Sequence, residues 1–225
     1  MLARIERALV LAPHPDDEVL GCGGTIARLV ARGADVQIGV VTRGMQPQFD
    51  LEQVEQVRSE AERAHRSLGV SRVHYLDLPA ARLDTLPRAD LNRAIGDLVQ
   101  SVAPDTLFVP FAGDLHFDHK LVYEAAMVAA RPRDDRGPAR VLAYETLSET
   151  NWSGPNMGPG FAPNIFVDIT NYIEAKRAAF ACFESQCRAF PDERSITALT
   201  ALAQMRGATV HRQAAEAFVL IREIG

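Results

Sequence analysis

The sequence predicts an α/β fold: a doubly wound, mostly parallel sheet in a single domain covering residues 1–225. Three observations predict it. Short apolar runs of strand length alternate with longer segments whose apolar residues recur at helical spacing. A β-α-β-α order of this kind builds a parallel sheet with right-handed crossovers. Neither an internal repeat nor a linker interrupts a chain whose length one core can fill.

Residues 8–12 are a continuous apolar run ended by Pro13, the first buried strand. A helix over 18–31 follows, with Val19, Ile26, Leu29 and Val30 inward and Gly33 as its stop. Residues 36–41 give the second strand. Apolar positions 51, 54, 57, 61, 64 and 68 mark a second helix, with Asp50 as N-cap and Gly69 past its end. The third strand covers 73–76, the next helix 91–102 before Pro104, and the fourth strand 106–109. A helix over 119–130, a polar break at 131–138 and a fifth strand at 141–144 continue the alternation. Residues 149–163, rich in Asn, Gly and Pro and holding the only Trp, are the main irregular stretch, of a length usually functional. Beyond it lie a strand at 165–169, a helix to Phe183 with Asn171 and Glu174 as a capping box, a helix at 191–206 and a last strand at 218–221.

Composition sets limits on function. Hydrophobic and charged contents of 47% and 24% are ordinary for a globular protein, and the net charge of -5 comes with no basic run, against nucleic-acid binding. No apolar stretch reaches the ~18 residues of a membrane span, and the first residues lack a signal peptide's apolar region. Cys22, Cys182 and Cys187 have neither disulfide-framework nor metal spacing, which fits a reducing cytoplasm; Cys182 and Cys187 read as buried small hydrophobes.

Two short segments carry the chemistry. His14-Pro15-Asp16-Asp17-Glu18 stands where the first strand meets the first helix, and Asp114-Leu115-His116-Phe117-Asp118-His119 follows the fourth strand. Both therefore lie at the carboxyl edge of the sheet, where open α/β folds bind ligands. Two His and one Asp suffice for a catalytic zinc with an open water position, and Asp16 and His116 remain as spare acid–base groups. Taken alone, the first segment is also what a helix-capping turn looks like; its coincidence with the second favours a site. His65 and His74 read as core or surface filler, and His211 as a surface residue or an auxiliary group of the site. Gly21-Cys22-Gly23-Gly24 lacks the third glycine of a dinucleotide fingerprint, because Ile26 stands there, and is better explained as close helix–sheet packing. Asp16, Asp17 and Asp77 suggest a phospho-receiver, which is far shorter and has no use for His116 and His119.

Residues 12–25 together with 114–119 closely resemble the PIG-L (LmbE-like) family of N-acetylglucosaminyl de-N-acetylases. The likeness continues through Arg58-Ser59-Glu60, Leu68-Gly69, Phe161-Ala162-Pro163 and Phe166 to Ile169. Further on it includes Lys176, Ser185-Gln186, Arg206-Gly207 and Ala215 to Phe218, so it covers nearly the whole chain. The resemblance implies a Rossmann-like fold and hydrolysis of the N-acetyl group of an N-acetylglucosamine-type conjugate. It implies one zinc per chain on His14, Asp17 and His119, with Asp16 as general base. His116, protonated, would stabilise the oxyanion or help protonate the amine, and Asp118 would orient it. Arg58 and Asp114 become substrate-binding positions; some relatives carry Tyr where Asp114 stands, so no tyrosine role transfers. The partner implied is a small amino-sugar conjugate, and relatives of this kind are often homo-oligomers. Two other readings share the residues: an amide hydrolase for a non-sugar acyl group, and a non-catalytic metal-binding regulatory domain.

Overall fold

Apolar side chains on both faces make β1 (Arg7–Ala12) a central strand: Ala8 and Val10 enter one core cluster, Leu9 and Leu11 the other. The computed structural model describes residues 5–132, 137–152, 154, 158 and 160–225. Parts of the polar break at 131–138 and of the irregular stretch at 149–163, and the first four residues, lie outside these.

The chain runs through α1 (Asp17–Ala31), β2 (Asp35–Arg43), α2 (Leu51–Leu68), β3 (Arg72–Pro79), α3 (Arg88–Val102) and β4 (Thr106–Pro110). It continues with α4 (Phe117–Ala129), β5 (Arg140–Tyr144), β6 (Ile165–Asp168), α5 (Ile173–Ala181), α6 (Ile196–Thr209) and β7 (Ala215–Glu223). The seven strands form one sheet in the order β3-β2-β1-β4-β5-β7-β6. The first five are parallel, whereas β7 runs antiparallel to both β5 and β6. In β1, Ala8 lies between Val36 of β2 and Thr106 of β4. The strand order reverses between β1 and β4, so the crevice outside their carboxyl ends is the topological switch point.

One face of the sheet is covered by α1, α2, α5 and α6, whose Ile26, Ala61, Phe180 and Leu199 pack with Val10, Phe108 and Tyr144. The other is covered by α3 and α4, whose Ile95, Leu98 and Val122 pack with Leu9, Leu107 and Val141. The glycines of α1 permit close approach: a Cβ on Gly21 would lie 2.3 Å from Tyr144, and one on Gly24 2.7 Å from Ile169. A buried ion pair ties α1 to the far side of the fold. Lys176 Nζ donates to the Leu20 carbonyl at 2.7 Å and to Glu216 at 2.6 Å, and Glu216 accepts the Gly24 amide at 2.9 Å.

Four expected details change. α6 begins at Ile196, not 191, because Ser195 accepts the Ala198 amide and caps it there. At the start of α5, Tyr172 occupies the N-cap with no side-chain bond, and Glu174 pairs with Arg177 instead of closing a capping box. α4 starts two residues early because His116 caps it, its Nδ1 accepting the Asp118 amide at 3.1 Å. Cys22 is buried, but Cys182 and Cys187 are only partly so.

Candidate active site

β1 and β4 are neighbours, so the segments that leave their carboxyl ends face each other across the switch point. The first segment enters α1 through Asp16, a non-glycine residue at φ 109°; the second enters α4 through His116. Three imidazoles converge between them, with ring centres 4.4 Å apart for His14 and His116, 5.4 Å for His14 and His119, and 5.7 Å for His116 and His119. Asp17 Oδ2 sits 3.3 Å from His14 Nδ1 and 3.2 Å from His119 Nε2. His14, Asp17 and His119 each offer a ligand atom within 4.8 Å of the others, a set that could hold a metal ion. Among the described residues His14, His116 and Asp118 form a second such set, sharing His14.

The donor chemistry fits a metal best at the first set. His119 Nδ1 is held 2.8 Å from Asp114 Oδ2, while its Nε2 is buried with no hydrogen-bond partner. An imidazole oriented by a carboxylate behind, with its front nitrogen turned toward a fellow candidate ligand, Asp17, is how metal-ligating histidines are arranged. Asp114 is fully buried, and its other oxygen accepts from Thr150 Oγ1 at 2.6 Å. It was expected to touch substrate; here its two oxygens bond within the fold, one to His119 and one to Thr150.

Asp118 also differs from expectation. Its carboxylate accepts the Ala81 amide at 2.7 Å and faces His14 Nε2 at 3.2 Å, and it meets His116 only through its backbone amide. The carboxylate of Asp16 is paired with the guanidinium of Arg194, which also reaches Ser148. Arg194 escaped sequence reasoning because its segment was assigned to a helix that starts only after it.

Electrostatics divide these groups. Burial opposes charge on His14 and His119, but Asp118 and Asp17 raise the first to about 9, and Asp17 and Asp114 the second to about 10. Burial likewise works against ionised Asp17, yet His119 and His14 hold it well below the carboxylate range. Burial pushes Asp16 up to about 7, with Arg194 opposing. Burial, then the charges of His14 and His119, push His116 down to about 4. Without a metal these influences favour a neutral His116 ring near pH 7, where a protonated one was expected.

A cavity of about 510 Å³ opens on this cluster, lined by His14, Asp16, Asp17, His116, Glu149 and Arg194 at one end and by Gln53, Arg58, Tyr75 and Asp77 further out. Arg58 stacks 4.0 Å over Tyr75 and contacts Asp77 at 3.2 Å. Glu149, which also accepts the His116 amide at 3.2 Å, is raised by burial. His74 pairs with Gln37 away from the cavity, and His211 is exposed.

Comparison with known proteins agrees with this picture. The chain is 29% identical over 207 residues to the diacetylchitobiose deacetylase of Thermococcus kodakarensis, spanning 84% of this chain and 72% of that protein. It is 29% identical over 262 residues to the 1D-myo-inositol 2-acetamido-2-deoxy-alpha-D-glucopyranoside deacetylase of Mycobacteroides abscessus, spanning 96% and 92%. The solved structure of a conserved protein from Thermus thermophilus superposes with a TM-score of 0.78 at 27% identity, covering 98% of this chain and 96% of that one. The PIG-L family, described as GlcNAc-PI de-N-acetylase, matches residues 9–130, more than half of the sequence and all of the two site segments. The chain belongs to the PIG-L family.

Proposed function

We propose that the protein is a zinc-dependent hydrolase that removes the N-acetyl group of an N-acetylglucosamine-type conjugate, releasing acetate and a free amino sugar. The observation that carries the proposal is the His14–Asp17–His119 set, with the Nε2 of His119 turned into it and Asp16 beside it on the cavity wall. The relatives named above are sugar deacetylases, which supports the amide and the sugar. One zinc per chain would be held by His14, Asp17 and His119. When bound, zinc would polarise the acetyl carbonyl and make water nucleophilic at neutral pH.

The remaining work belongs to the side chains. Asp16 takes the proton of the attacking water as its oxygen joins the acetyl carbon. A carboxyl raised to about 7 can both accept that proton and return it. His116 Nδ1 accepts the Asp118 amide, so the proton of the neutral ring sits on Nε2. That N–H donates to the carbonyl oxygen as charge builds there. Asp16 then passes its proton to the nitrogen as the C–N bond breaks, and acetate and amine separate. Asp118 and Asp114 fix His14 and His119, and Arg58 contacts the sugar conjugate in the outer cavity.

Residues 1–225 act as one deacetylase domain, supported by a single sheet running from Arg7 to Glu223. No helix of the described residues is long and apolar enough to cross a membrane, and the three cysteines are free, which supports a cytoplasmic enzyme. Exposed Leu115, Phe117 and Phe190 beside cavity residues support a homo-oligomer, which light scattering would test. The deciding experiment is metal analysis plus acetate release across N-acetylglucosamine conjugates and non-sugar acetamides. Selective turnover of sugars is expected. Equal turnover of simple acetamides would transfer the activity to non-sugar amides, and no turnover with zinc loaded would leave a metal-binding domain.

A further inference from the structure

Glu18 and His65 are buried, ionisable and unused by the reaction above. We infer that they are positioning residues: a chain of hydrogen bonds from α2 through Glu18 holds the backbone of Asp16 in the conformation that sets its carboxylate at the reacting atoms. This inference rests on Asp16 being the base.

Asp16 has φ 109° and ψ -25°, in the left-handed region that non-glycine residues occupy only when their surroundings impose it. The surroundings account for every polar group of the residue. Its carbonyl accepts the amides of Val19 at 3.0 Å and Leu20 at 2.9 Å, opening α1. Its carboxylate is held by Arg194. Its own amide, which α1 cannot satisfy, donates to Glu18 Oε2 at 3.1 Å. Glu18 thus reaches back to the cap residue as the acid of a capping box does, but from one position earlier.

Glu18 is itself 0% exposed, so its second oxygen also needs a partner. That partner is His65 Nε2 at 2.8 Å, near the end of α2. Beside a carboxylate oxygen the ring nitrogen is the donor, so Nε2 donates to Glu18. His65 Nδ1 is buried with no partner, so the ring is committed to Glu18 alone. A plain core ion pair would end there. This one has a third link, from the other oxygen of Glu18 to the strained amide of the base, and it makes the placement of Asp16 depend on how α2 packs against α1.

Without His65, Glu18 is free to turn and the Asp16 amide loses its fixed partner. A displacement of about 1 Å in a reacting group can cost ~10²-fold in rate. The test is a double-mutant cycle of His65→Leu and Asp16→Asn, with kcat and KM measured on the best N-acetylglucosamine conjugate of the panel. NMR of the Asp16 amide is recorded on the same proteins without substrate. We expect His65→Leu to lower kcat by about 10- to 100-fold with KM nearly unchanged. His65→Gln, whose amide still donates to Glu18, should restore most of the loss. In the Asp16→Asn background His65→Leu should cost nothing further. The Asp16 amide proton should lie downfield in the native protein and move upfield in His65→Leu. If His65→Leu does not fold, Glu18→Leu, which cannot accept the Asp16 amide, takes its place in the cycle and in the NMR measurement, with the same outcomes expected. The same loss in both backgrounds, or an unmoved Asp16 amide, would overturn the inference. Near-normal kcat in Asp16→Asn alone would remove the base assignment, and this inference with it, whatever the other corners show.

Discussion

Loading the His14–Asp17–His119 set with zinc should release close to two protons per chain at pH 7.5. A histidine must be neutral to ligate a metal, so any proton it carries beforehand leaves on binding. In the metal-free protein His14 is raised to about 9 and His119 to about 10, so both rings are almost fully protonated at that pH. Two imidazoles at the ordinary value of ~6.5 would together release only about 0.2 proton, or about 1.2 if a water molecule lost one as well. Each displaced proton makes affinity tenfold steeper per pH unit, so zinc affinity should climb about 100-fold per unit between pH 6.5 and 8.5. Titration calorimetry in two buffers of different ionisation enthalpy counts the protons, and chelator competition across pH gives the slope. A total of about 1.2 or less would refute the claim that Asp17, Asp114 and Asp118 have gathered two imidazolium ions where the metal belongs.

The same shifts set how the metal-free fold responds to alkali. Both folded values lie above the unfolded one, so their stabilisation is complete below pH 6.5 and is lost as pH rises through about 9 and about 10. Metal-free protein should therefore melt lower at pH 9.5 than at pH 7, and a flat Tm would count against the shifts. Arg194→Gln removes the cation that opposes protonation of Asp16, so the acidic limb of kcat/KM should move up from near pH 7; a limb that stays put would detach Arg194 from the base. Asp16→Asn should keep its zinc and lose kcat by ~10²–10⁴, while Glu149→Gln should lose far less; the reverse order would name Glu149 the base. Gly21→Ala puts a Cβ 2.3 Å from Tyr144 and should cost about 1–3 kcal/mol by overpacking, read as a lower denaturant midpoint.

Much of this protein could be read from its sequence because the relevant forces are local. α2 spans Leu51–Leu68 as its apolar period implies, with Asp50 accepting the Glu52 amide and Gly69 at φ 73° beyond its end. The two site segments could be placed because each follows a strand, and the carboxyl ends of parallel strands share an edge. What escaped depends on contacts between distant parts of the chain. The apolar run at 218–221 marks a strand but carries no sign of its direction or of its full extent over Ala215–Glu223, which are set by pairing with β5 and β6. His65 lies in the last turn of a helical period, and its 2.8 Å bond to a residue 47 positions away is what distinguishes it from filler. The contacts of Asp114 and Asp118 were hidden for a related reason: residue type makes a carboxylate available, but burial and neighbours decide what it holds.

Five acidic residues of the two segments lie within the same small volume, and their neighbours give them different tasks. Asp17 lies between two imidazoles, which keep it ionised and suit it to the proposed role of ligand. Asp114 and Asp118 stand behind His119 and His14, and Glu18 stands behind Asp16. Of the five, only Asp16 and Asp17 line the cavity, and a ligand cannot also shuttle protons. Glu149 lines it too and is raised by burial, which makes it the one competitor. Among the described residues no cation pairs with the Glu149 carboxylate, which accepts the His116 backbone amide. Asp16, by contrast, is fixed at its amide by Glu18 and at its carboxylate by Arg194, next in sequence to the ligand Asp17. A general base must be poised in both proton affinity and position. Burial supplies the first to both residues, and only Asp16 is given the second.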